Sequence, residues 1–379
     1  MSVARRGLLR RELLEGAAAL TAGLLLPRAA SAKGGELLVQ TDYPQNLGTP
    51  IELYDRLITP TASFFVRSHF GPPALDPKRA LIVEGSRKLE LGVAQLRKLK
   101  EHTLTAVLQC SGNGRALHSP RVPGIQWVHG AMGQATWTGV RLSDVLEQAG
   151  LPAGAAFVRV VGADVPAGPK VPRFIRGLPL DRALDPATII AYRMNGAPLS
   201  LAHGAPMRLV IPGWSGNHWV KWLRSIRVQA EDAEGFYHQT AYRLPKTPVA
   251  PGTAVKPADT LPATTFPLRA VIARPSESGR VRRGKAEVVG VALSGEAAVA
   301  RVEVSLDGGA TWAPAKLEGE PGIGLWQVFR LPFDARPGAH VAVARAFDAQ
   351  GRAQPEQAAW NPSGYFWNGW HRVGFEVAS

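Results

Sequence analysis

A single cysteine at the end of an apolar run is the residue of this 379-residue sequence best placed to do chemistry. Cys110 follows residues 103–109 and opens the segment Cys-Ser-Gly-Asn-Gly-Arg, whose glycines permit tight backbone turns. Arg115 lies nearby, and a guanidinium beside a thiol favours the thiolate, the form that binds metals. One thiolate cannot hold a bare ion, so a metal here would arrive inside an organic cofactor. A buried inert thiol and a hydrolase nucleophile with an unidentified histidine partner remain open alternatives.

The strands that would carry this loop are indicated by runs of β-branched and apolar residues. Three runs of strand length, each entering a loop that contains Gly, Asn, Asp or Pro, cover residues 103–109, 157–161 and 207–211. Residues 141–149 predict a short helix with one apolar face, capped by Ser143 and ended by Gly150. We therefore predict a mixed α/β domain over residues 33–245, with functional groups in loops at strand ends.

A proline-rich stretch separates this domain from a second one. Six prolines fall within residues 245–267, which predicts a semi-rigid extended linker over residues 246–267. Beyond it, residues 301–306 alternate polar and apolar side chains and then meet Asp307-Gly-Gly, a strand followed by a turn. Similar short runs predict an immunoglobulin-like β-sandwich over residues 268–379. The predicted fold class is α+β, a mixed α/β domain followed by this sandwich.

The first 32 residues have the features of an export signal. Two arginine pairs, Arg5-Arg6 and Arg10-Arg11, are each followed shortly by leucines, and Ala30-Ser-Ala32 resembles a cleavage site. The apolar stretch 16–26 is about half the ~20 residues that span a bilayer, so we expect no membrane span. The arginine pairs favour the twin-arginine route to the periplasm, which carries folded proteins.

Composition excludes several kinds of site and partner. One cysteine rules out an intrachain disulfide framework, a Cys-rich zinc site, a Cys-ligated iron–sulfur cluster and a CxxCH haem attachment. The chain has 44 basic and 30 acidic residues, but the excess is spread along it without a basic block or a nucleic-acid motif. We therefore expect no nucleic-acid partner, and an anionic substrate or an acidic protein instead.

Five blocks of sequence, in this order, resemble the sulfite oxidase family of molybdopterin-dependent oxidoreductases. They are Phe64-Phe-Val-Arg-Ser-His69, Cys110-Ser-Gly-Asn-Gly-Arg115, His203-Gly-Ala-Pro-Met-Arg208 with Val210-Ile-Pro-Gly213, Val220-Lys-Trp-Leu223 and Trp370-His-Arg-Val373. The resemblance runs from about residue 40 to the end, and the sandwich resembles that family's dimerisation domain. It implies a molybdenum held by the pterin dithiolene and, from the protein, by Cys110 alone.

The resemblance also implies which residues bind the pterin and the substrate. The residues that match the pterin-binding set are Phe65, Arg67, His69, Asp164, His203, Arg208, Trp219, Val220 and Lys221. An anionic pterin tail needs such cationic and N–H donors. The residues that match the substrate pocket are Arg67, Arg115, Trp127, Tyr242 and Arg372. Sulfite, a small oxyanion, is bound by desolvated guanidinium groups. If Arg372 takes part, the C-terminal tail, residues 360–372, must fold back toward the metal.

The departures from the family predict a separate electron acceptor. No haem motif occurs in the sequence, so electrons would pass to a c-type cytochrome, with the chain a homodimer or a heterodimer with a cytochrome subunit. The loop after Cys110 is closer to bacterial periplasmic sulfite dehydrogenase subunits, which oxidise sulfite to sulfate by oxygen-atom transfer. Sulfane dehydrogenase subunits of thiosulfate-oxidising systems, expected to lack an equivalent of Arg115, remain an alternative. A non-redox periplasmic anion-binding or adhesion protein is another.

Overall fold

The computed structural model describes residues 35–379, and the expected export signal, residues 1–32, lies outside the described residues. The described residues belong to one compact unit. It is rich in strands and contains few and short helices. No helix in residues 35–379 is long and apolar enough to cross a membrane.

The N-terminal part is built from short strands and single-turn or two-turn helices. The strands are β1 (Leu38–Thr41), β2 (Asn46–Gly48), β3 (Leu81–Glu84), β4 (Lys88–Leu91), β5 (His102–Gln109), β6 (Met132–Arg141), β7 (Phe157–Gly162), β8 (Ile175–Pro179), β9 (Ile189–Met194), β10 (Ala197–Pro198), β11 (Arg208–Val210) and β12 (Leu223–Gln229). The α-helices are α1 (Val93–Leu96), α2 (Leu142–Ala149), α3 (Leu180–Leu184) and α4 (Phe236–Gln239). The 3-10 turns are Ile51–Leu53, Thr61–Ser63, Arg115–Leu117 and Pro257–Asp259.

Two five-stranded sheets organise this part of the chain. One has the order β10-β9-β6-β5, with β11 also paired to β9, and the other has the order β4-β3-β12-β7-β8. The pairing of β12 with β3 is parallel, whereas its pairing with β7 is antiparallel. Strand β5 pairs with β6 along its whole length, from His102 opposite Gly139 to Gln109 opposite Met132. Cys110 therefore leaves the end of a complete hydrogen-bonded ladder, which holds its backbone firmly.

The predicted local elements are present, with one correction. The runs at residues 103–109, 157–161 and 207–211 lie in β5, β7 and β11 with small shifts at their ends. Helix α2 ends at Gly150, which takes a positive φ of 71°. The predicted cap is wrong, because Arg141 occupies the N-cap position without a side-chain hydrogen bond. Ser143 lies inside the first turn, where its hydroxyl donates to Asp144 at 3.4 Å.

Aromatic side chains in the core connect segments that also carry polar residues. The ring of Trp137 on β6 meets Phe64 edge-on at 6.0 Å and Trp219 at 5.6 Å. All three side chains are almost completely buried. Such edge-to-face pairs add about 0.5–1.5 kcal/mol each beyond the burial of area. This packing sets the positions of the residues that follow Phe64 and Trp219 in the sequence.

The proline-rich stretch carries more order than an extended linker. It contains the 3-10 turn Pro257–Asp259 and the strand β14 (Thr260–Pro262), which pairs antiparallel with β13 (Arg243–Pro245). Prolines are tolerated in such an isolated pair because neither strand has to donate hydrogen bonds on both sides. Just beyond β14, the backbone N–H of Ala263 donates to the carbonyl of Tyr242 at 2.7 Å.

The C-terminal part is a second, β-rich domain. Its strands are β15 (Arg269–Arg274), β16 (Gly279–Val281), β17 (Gly284–Leu293), β18 (Val299–Ser305), β19 (Ala313–Glu318), β20 (Trp326–Ala335), β21 (Gly338–Asp348) and β22 (His371–Val377), in the order β15-β17-β20-β19-β18-β21-β22-β16. Residues 301–306 lie mostly in β18, as their alternation predicts. A separate apolar cluster joins the two parts, with Val107 and Met132 from the N-terminal part against Phe266, Val271 and Trp326.

Candidate active site

Cys110 lies where two cavities meet, and it lines both of them. The first cavity contains every residue of the predicted pterin-binding set, namely Phe65, Arg67, His69, Asp164, His203, Arg208, Trp219, Val220 and Lys221. The second cavity is lined by Arg115 and by Gly112 of the cysteine loop, together with Ser363 and Tyr365 from the C-terminal tail. Arg67, His69 and Tyr242 line both cavities.

The backbone of the cysteine loop is tied to the start of β6. The N–H of Cys110 donates to the carbonyl of Ala131 at 2.9 Å, and the N–H of Asn113 donates to the carbonyl of Cys110 at 2.9 Å. The side-chain oxygen of Asn113 in turn accepts from the N–H of Ala131 at 3.1 Å. Gly114 has a φ of 93°, the left-handed region that favours glycine, and it starts the 3-10 turn of Arg115. These hydrogen bonds leave the Cys110 side chain half-buried at the junction of the cavities.

Arg208 is a buried cation that has no anionic partner within residues 35–379. Its guanidinium donates to the carbonyl of His203 at 3.0 Å and to that of Trp219 at 3.1 Å, while Nε has no partner among the described residues. Burial lowers the pKa of Arg208 to about 9, and the group stays mostly charged at neutral pH. A buried charge without a counter-ion costs several kcal/mol, so this arrangement suits a site that receives an anion.

Lys221 adds a second buried cation on the same wall. Its ammonium donates to the hydroxyl of Ser68 at 2.8 Å and to the carbonyl of Ala202 at 3.0 Å, and it lies 4.1 Å from the centre of the Trp222 ring. Burial lowers the pKa of Lys221 to about 7. Burial also raises the pKa of Asp164 to about 6, against the opposing effect of Lys221. An anion bound beside Lys221 would restore its positive charge.

The first cavity therefore fits the pterin group that the sequence predicts. It combines two buried cations with a neutral histidine, His203, whose pKa is lowered to about 4 by burial and by Arg208. The hydroxyl of Ser111 and the amide nitrogen of Asn113, next to Cys110, are buried without partners among the described residues. No group of three or more His, Cys, Asp or Glu side chains that could hold a bare metal ion occurs in residues 35–379. A metal at Cys110 therefore needs further ligands from a cofactor.

In the second cavity, Arg115 is held in one orientation. Its Nε donates to the carbonyl of Ser363 at 3.0 Å and its Nη1 to that of Ile125 at 3.1 Å. Nη2 makes no hydrogen bond to the described part of the chain and lies beside Gly112, where a Cβ would come within 2.8 Å of it. Gly124 also leaves room for the guanidinium, since a Cβ there would come within 2.6 Å of Nη1. One pair of N–H groups is thus free to bind an anion beside Cys110.

Tyr242 is held in a strained backbone conformation by polar neighbours. Its φ of 56° is in the left-handed region, which is unfavourable for a residue with a large side chain. Its hydroxyl is hydrogen-bonded to Nε2 of His69, and Nη2 of Arg67 donates to Nδ1 of that ring at 3.1 Å. Burial, with Arg67 and Arg115 adding to it, lowers the pKa of His69 to about 2, so the ring is neutral. With Nδ1 accepting, Nε2 carries the proton and donates to Tyr242, whose own O–H can donate into the cavity.

Two predicted pocket residues lie elsewhere. The guanidinium of Arg372 donates to the carbonyl of Gly308 at 2.8 Å and pairs with Glu356 at 2.6 Å, outside both cavities. Its assignment to the substrate pocket is wrong, because alternation along β22 turns Arg372 to solvent and Val373 to the core. Trp127 is buried in the core with 1% of its surface exposed, and it lines neither cavity. Its indole N–H has no partner among the described residues.

The C-terminal tail does return to the site, but it brings Tyr365 instead of Arg372. The N–H of Phe366 donates to the carbonyl of Ser111, directly after Cys110, at 2.8 Å. The Tyr365 ring stacks on Tyr242 with 5.5 Å between centres and 10° between planes. The tryptophan-rich tail was a signal for docking, but no feature of the sequence distinguishes Tyr365 from its aromatic neighbours.

Two family models and several known proteins match the chain. Residues 69–237 match the model of the oxidoreductase molybdopterin binding domain, and residues 262–378 match the Mo-co oxidoreductase dimerisation domain. Sulfite oxidase of Gallus gallus is 35% identical over 89% of this chain and 77% of its own length. That of Arabidopsis thaliana is 32% identical over 89% of this chain and 93% of its own length.

Longer relatives and a solved structure complete the comparison. Mitochondrial sulfite oxidase of Rattus norvegicus is 34% identical over 90% of this chain, which spans about 66% of that protein's length. The crystal structure of the sulfane dehydrogenase SoxCD from Paracoccus pantotrophus superimposes with a TM-score of 0.77 at 27% identity. That match covers 88% of this chain and 85% of the other.

Proposed function

We propose that this chain, which belongs to the sulfite oxidase family of molybdopterin-dependent oxidoreductases, oxidises sulfite to sulfate. The observation that carries the proposal is the position of Cys110, between a cation-lined cavity that fits the cofactor and a second cavity that presents Arg115. Sulfite and water give sulfate, two electrons and two protons. When bound, the molybdenum–pterin group supplies the oxygen-atom and electron transfer, with Cys110 as the protein ligand.

The residues of the first cavity would hold and orient the cofactor. Arg208 and Lys221 supply positive charge at a wall where, among the residues that the structure describes, Asp164 is the only carboxylate. Charge-assisted hydrogen bonds from such groups to an anionic tail are about twice as strong as neutral ones. The neutral ring of His203 is held in this wall, with Nε2 donating to the carbonyl of Phe64 at 3.3 Å and Nδ1 accepting from the hydroxyl of Ser200 at 2.8 Å.

The residues of the second cavity would bind the substrate and handle its proton. The free Nη2 of Arg115 and the guanidinium of Arg67 attract an oxyanion, and partial burial strengthens that attraction relative to bulk water. Burial raises the pKa of Tyr242, so the phenol stays protonated and donates a hydrogen bond at neutral pH. His69 keeps the phenol oxygen in place by donating to it. The protons released from water would leave along this polar wall.

The proposal also includes a periplasmic location, a separate electron acceptor and a dimeric assembly. The N-terminal arginine pairs support export to the periplasm by the twin-arginine route. A c-type cytochrome would then accept the electrons, and the match to a dimerisation domain supports a homodimer or a heterodimer with a cytochrome subunit. The second domain would be an immunoglobulin-like sandwich, which its antiparallel strands and alternating burial support.

A sulfane dehydrogenase is the second candidate, supported by the structural match to SoxCD. Its substrate would be a sulfane sulfur, which is bonded to another sulfur atom as it is in thiosulfate, whereas sulfite contains a single sulfur atom. The oriented guanidinium of Arg115 favours a small oxyanion, because two of its nitrogens are bound to carbonyls and the third is left for a ligand in a cavity that the tail also lines.

Metal analysis and steady-state kinetics on the same preparation test the proposal. The protein, produced in a host that makes the pterin, should contain close to one molybdenum per chain and reduce cytochrome c with sulfite. Thiosulfate should be a much poorer donor. A fully loaded preparation that oxidises thiosulfate but not sulfite would favour the sulfane dehydrogenase. A preparation without molybdenum from the same host would contradict both enzymes.

A further inference from the structure

Four flat groups lie in contact one after another, and the first three of them line the second cavity. The guanidinium carbon of Arg115 lies 5.4 Å from the centre of the Tyr365 ring. Tyr365 lies parallel to Tyr242, with 5.5 Å between ring centres. The guanidinium carbon of Arg176 lies 5.4 Å from the centre of the Tyr242 ring. We call Arg115, Tyr365, Tyr242 and Arg176 the four-layer stack.

The Tyr365 layer is fixed by the tail that carries it. The side chain of Asn361 brackets the tyrosine backbone, donating to the Tyr365 carbonyl at 2.8 Å and accepting from its N–H at 3.0 Å. The next residue, Phe366, has a φ of 56° and donates to the carbonyl of Ser111 at 2.8 Å. The ring is therefore fastened to the residue that follows Cys110, and its position changes only if the loop or the tail moves.

The Arg176 layer closes the stack from inside the protein. Arg176, on β8, is completely buried. Its Nη2 donates to Nε2 of His218 at 2.7 Å, and Nη1 donates to the carbonyl of Tyr237. No carboxylate within the described residues forms an ion pair with it, and its pKa, lowered by burial to about 10, leaves it charged at neutral pH. Because no carboxylate of the described part of the chain neutralises this buried cation, the attraction between its charge and the aromatic face of Tyr242 stabilises the contact.

The four-layer stack stabilises two features of the site, the orientation of the Arg115 guanidinium and the backbone conformation of Tyr242. Arg115 has to keep one pair of N–H groups aimed beside Cys110, and an aromatic face under its guanidinium keeps that plane fixed. Tyr242 has to remain in a left-handed backbone conformation, which persists only where several contacts enforce it. The Tyr365 ring contacts both Arg115 and Tyr242, so the orientation of the guanidinium and the conformation of Tyr242 both depend on it.

We propose that Tyr365 is a positioning residue of the substrate pocket, which fixes Arg115 and Tyr242 for the recognition of a small oxyanion. The identity of that oxyanion as sulfite rests on the proposed function. Two planar groups that are held in place need no reorganisation when the anion arrives, and this raises affinity. Tyr365 itself acts through its ring faces and not through its hydroxyl.

The test compares the holoenzyme with Tyr365→Leu and Tyr365→Phe, using inorganic sulfate as the probe of binding. Calorimetry should show sulfate bound about tenfold more weakly by Tyr365→Leu, because leucine offers no aromatic face to Arg115 or to Tyr242. Tyr365→Phe keeps both faces and should stay within about twofold of wild type. The KM for sulfite should follow the same order, with kcat changing less than KM.

A control variant tests whether the loss of any aromatic contact weakens sulfate binding, and a second variant is used if Tyr365→Leu does not fold. Phe333→Leu removes an aromatic partner of Phe375 in the second domain, 6.1 Å away between ring centres, and should leave sulfate affinity unchanged. If Tyr365→Leu yields no folded protein with molybdenum, Gly364→Ala takes its place, since the new Cβ would lie 2.8 Å from Cγ of Arg115. It should displace the tail and weaken sulfate binding by a similar factor without touching either ring.

The possible outcomes distinguish the positioning role of Tyr365 from the proposed oxidation of sulfite. Wild-type affinity in Tyr365→Leu, or equal losses in the Leu and Phe variants, would overturn the positioning role even if sulfite is turned over normally. A wild-type enzyme that does not oxidise sulfite, combined with the expected order of sulfate affinities, would support the stack and refute the substrate assignment. Where Gly364→Ala has to replace Tyr365→Leu, a sulfate affinity equal to that of wild type would likewise overturn the positioning role.

Discussion

Replacing Arg115 by Met would remove one oriented pair of N–H donors from the second cavity without enlarging the side chain. The Nη2 group is the part of this guanidinium that is free, since Nε and Nη1 are bound to the carbonyls of Ser363 and Ile125. A hydrogen bond to a charged partner contributes about 1.5–3 kcal/mol, so we expect KM for sulfite to rise by about 10- to 150-fold. Methionine also cannot donate to the two carbonyls, and this should lower the free energy of unfolding by about 1–3 kcal/mol.

Two further variants separate the geometry of Arg115 from its charge. Arg115→Lys keeps the charge but loses the planar fork that binds two carbonyls and stacks on Tyr365, so it should recover only part of the affinity. Arg121→Met removes the same charge from an exposed position of the same loop, and it should change KM by less than about twofold.

Steady-state kinetics with cytochrome c, together with sulfate affinity by calorimetry, measure these effects. The reasoning is refuted if Arg115→Met keeps the wild-type KM while its molybdenum content is normal. It is also refuted if Arg121→Met raises KM as much as Arg115→Met, because long-range charge would then explain binding without any oriented contact.

Three other substitutions follow from the same geometry. Cys110→Ser should leave a folded protein with little molybdenum and no sulfite oxidation, measured by metal analysis and turnover; full activity would contradict the ligand role. Arg372→Met should leave KM within about twofold of wild type, because its guanidinium pairs with Glu356 outside the cavities. In the cofactor-free protein, the pKa of Lys221 is lowered to about 7, so the unfolded chain holds this proton more tightly and the free energy of unfolding should rise from pH 7 to about pH 10. Lys221→Met should flatten that rise in denaturant titrations, and an unchanged slope would contradict the lowered pKa.

The amino-acid sequence determined the chemistry of the first cavity. The predicted pterin-binding residues come from separate blocks between residues 64 and 221, and all of them line one cavity with Cys110. Sequence motifs succeed here because the residues act through their types, a thiolate and several cations. Two of them, Cys110 and Asp164, also follow the ends of β5 and β7, whose positions are set by the sheets. The family assignment, read from those blocks, is confirmed by relatives that match the chain over most of its length.

The tertiary structure alone decided which residue of the C-terminal tail enters the second cavity. The sequence predicts a tail that returns to the site, and it does, but Arg372 lies in β22 and faces solvent. A strand alternates its side chains between two faces, so the pairing of β22 with β21 settles the direction of Arg372, and no local pattern reveals that register. Tyr365 enters the cavity because the tail before β22 is hydrogen-bonded to Ser111, which is far from it in the sequence. Such a hydrogen bond depends on how the two domains pack, and this is a property of the whole chain.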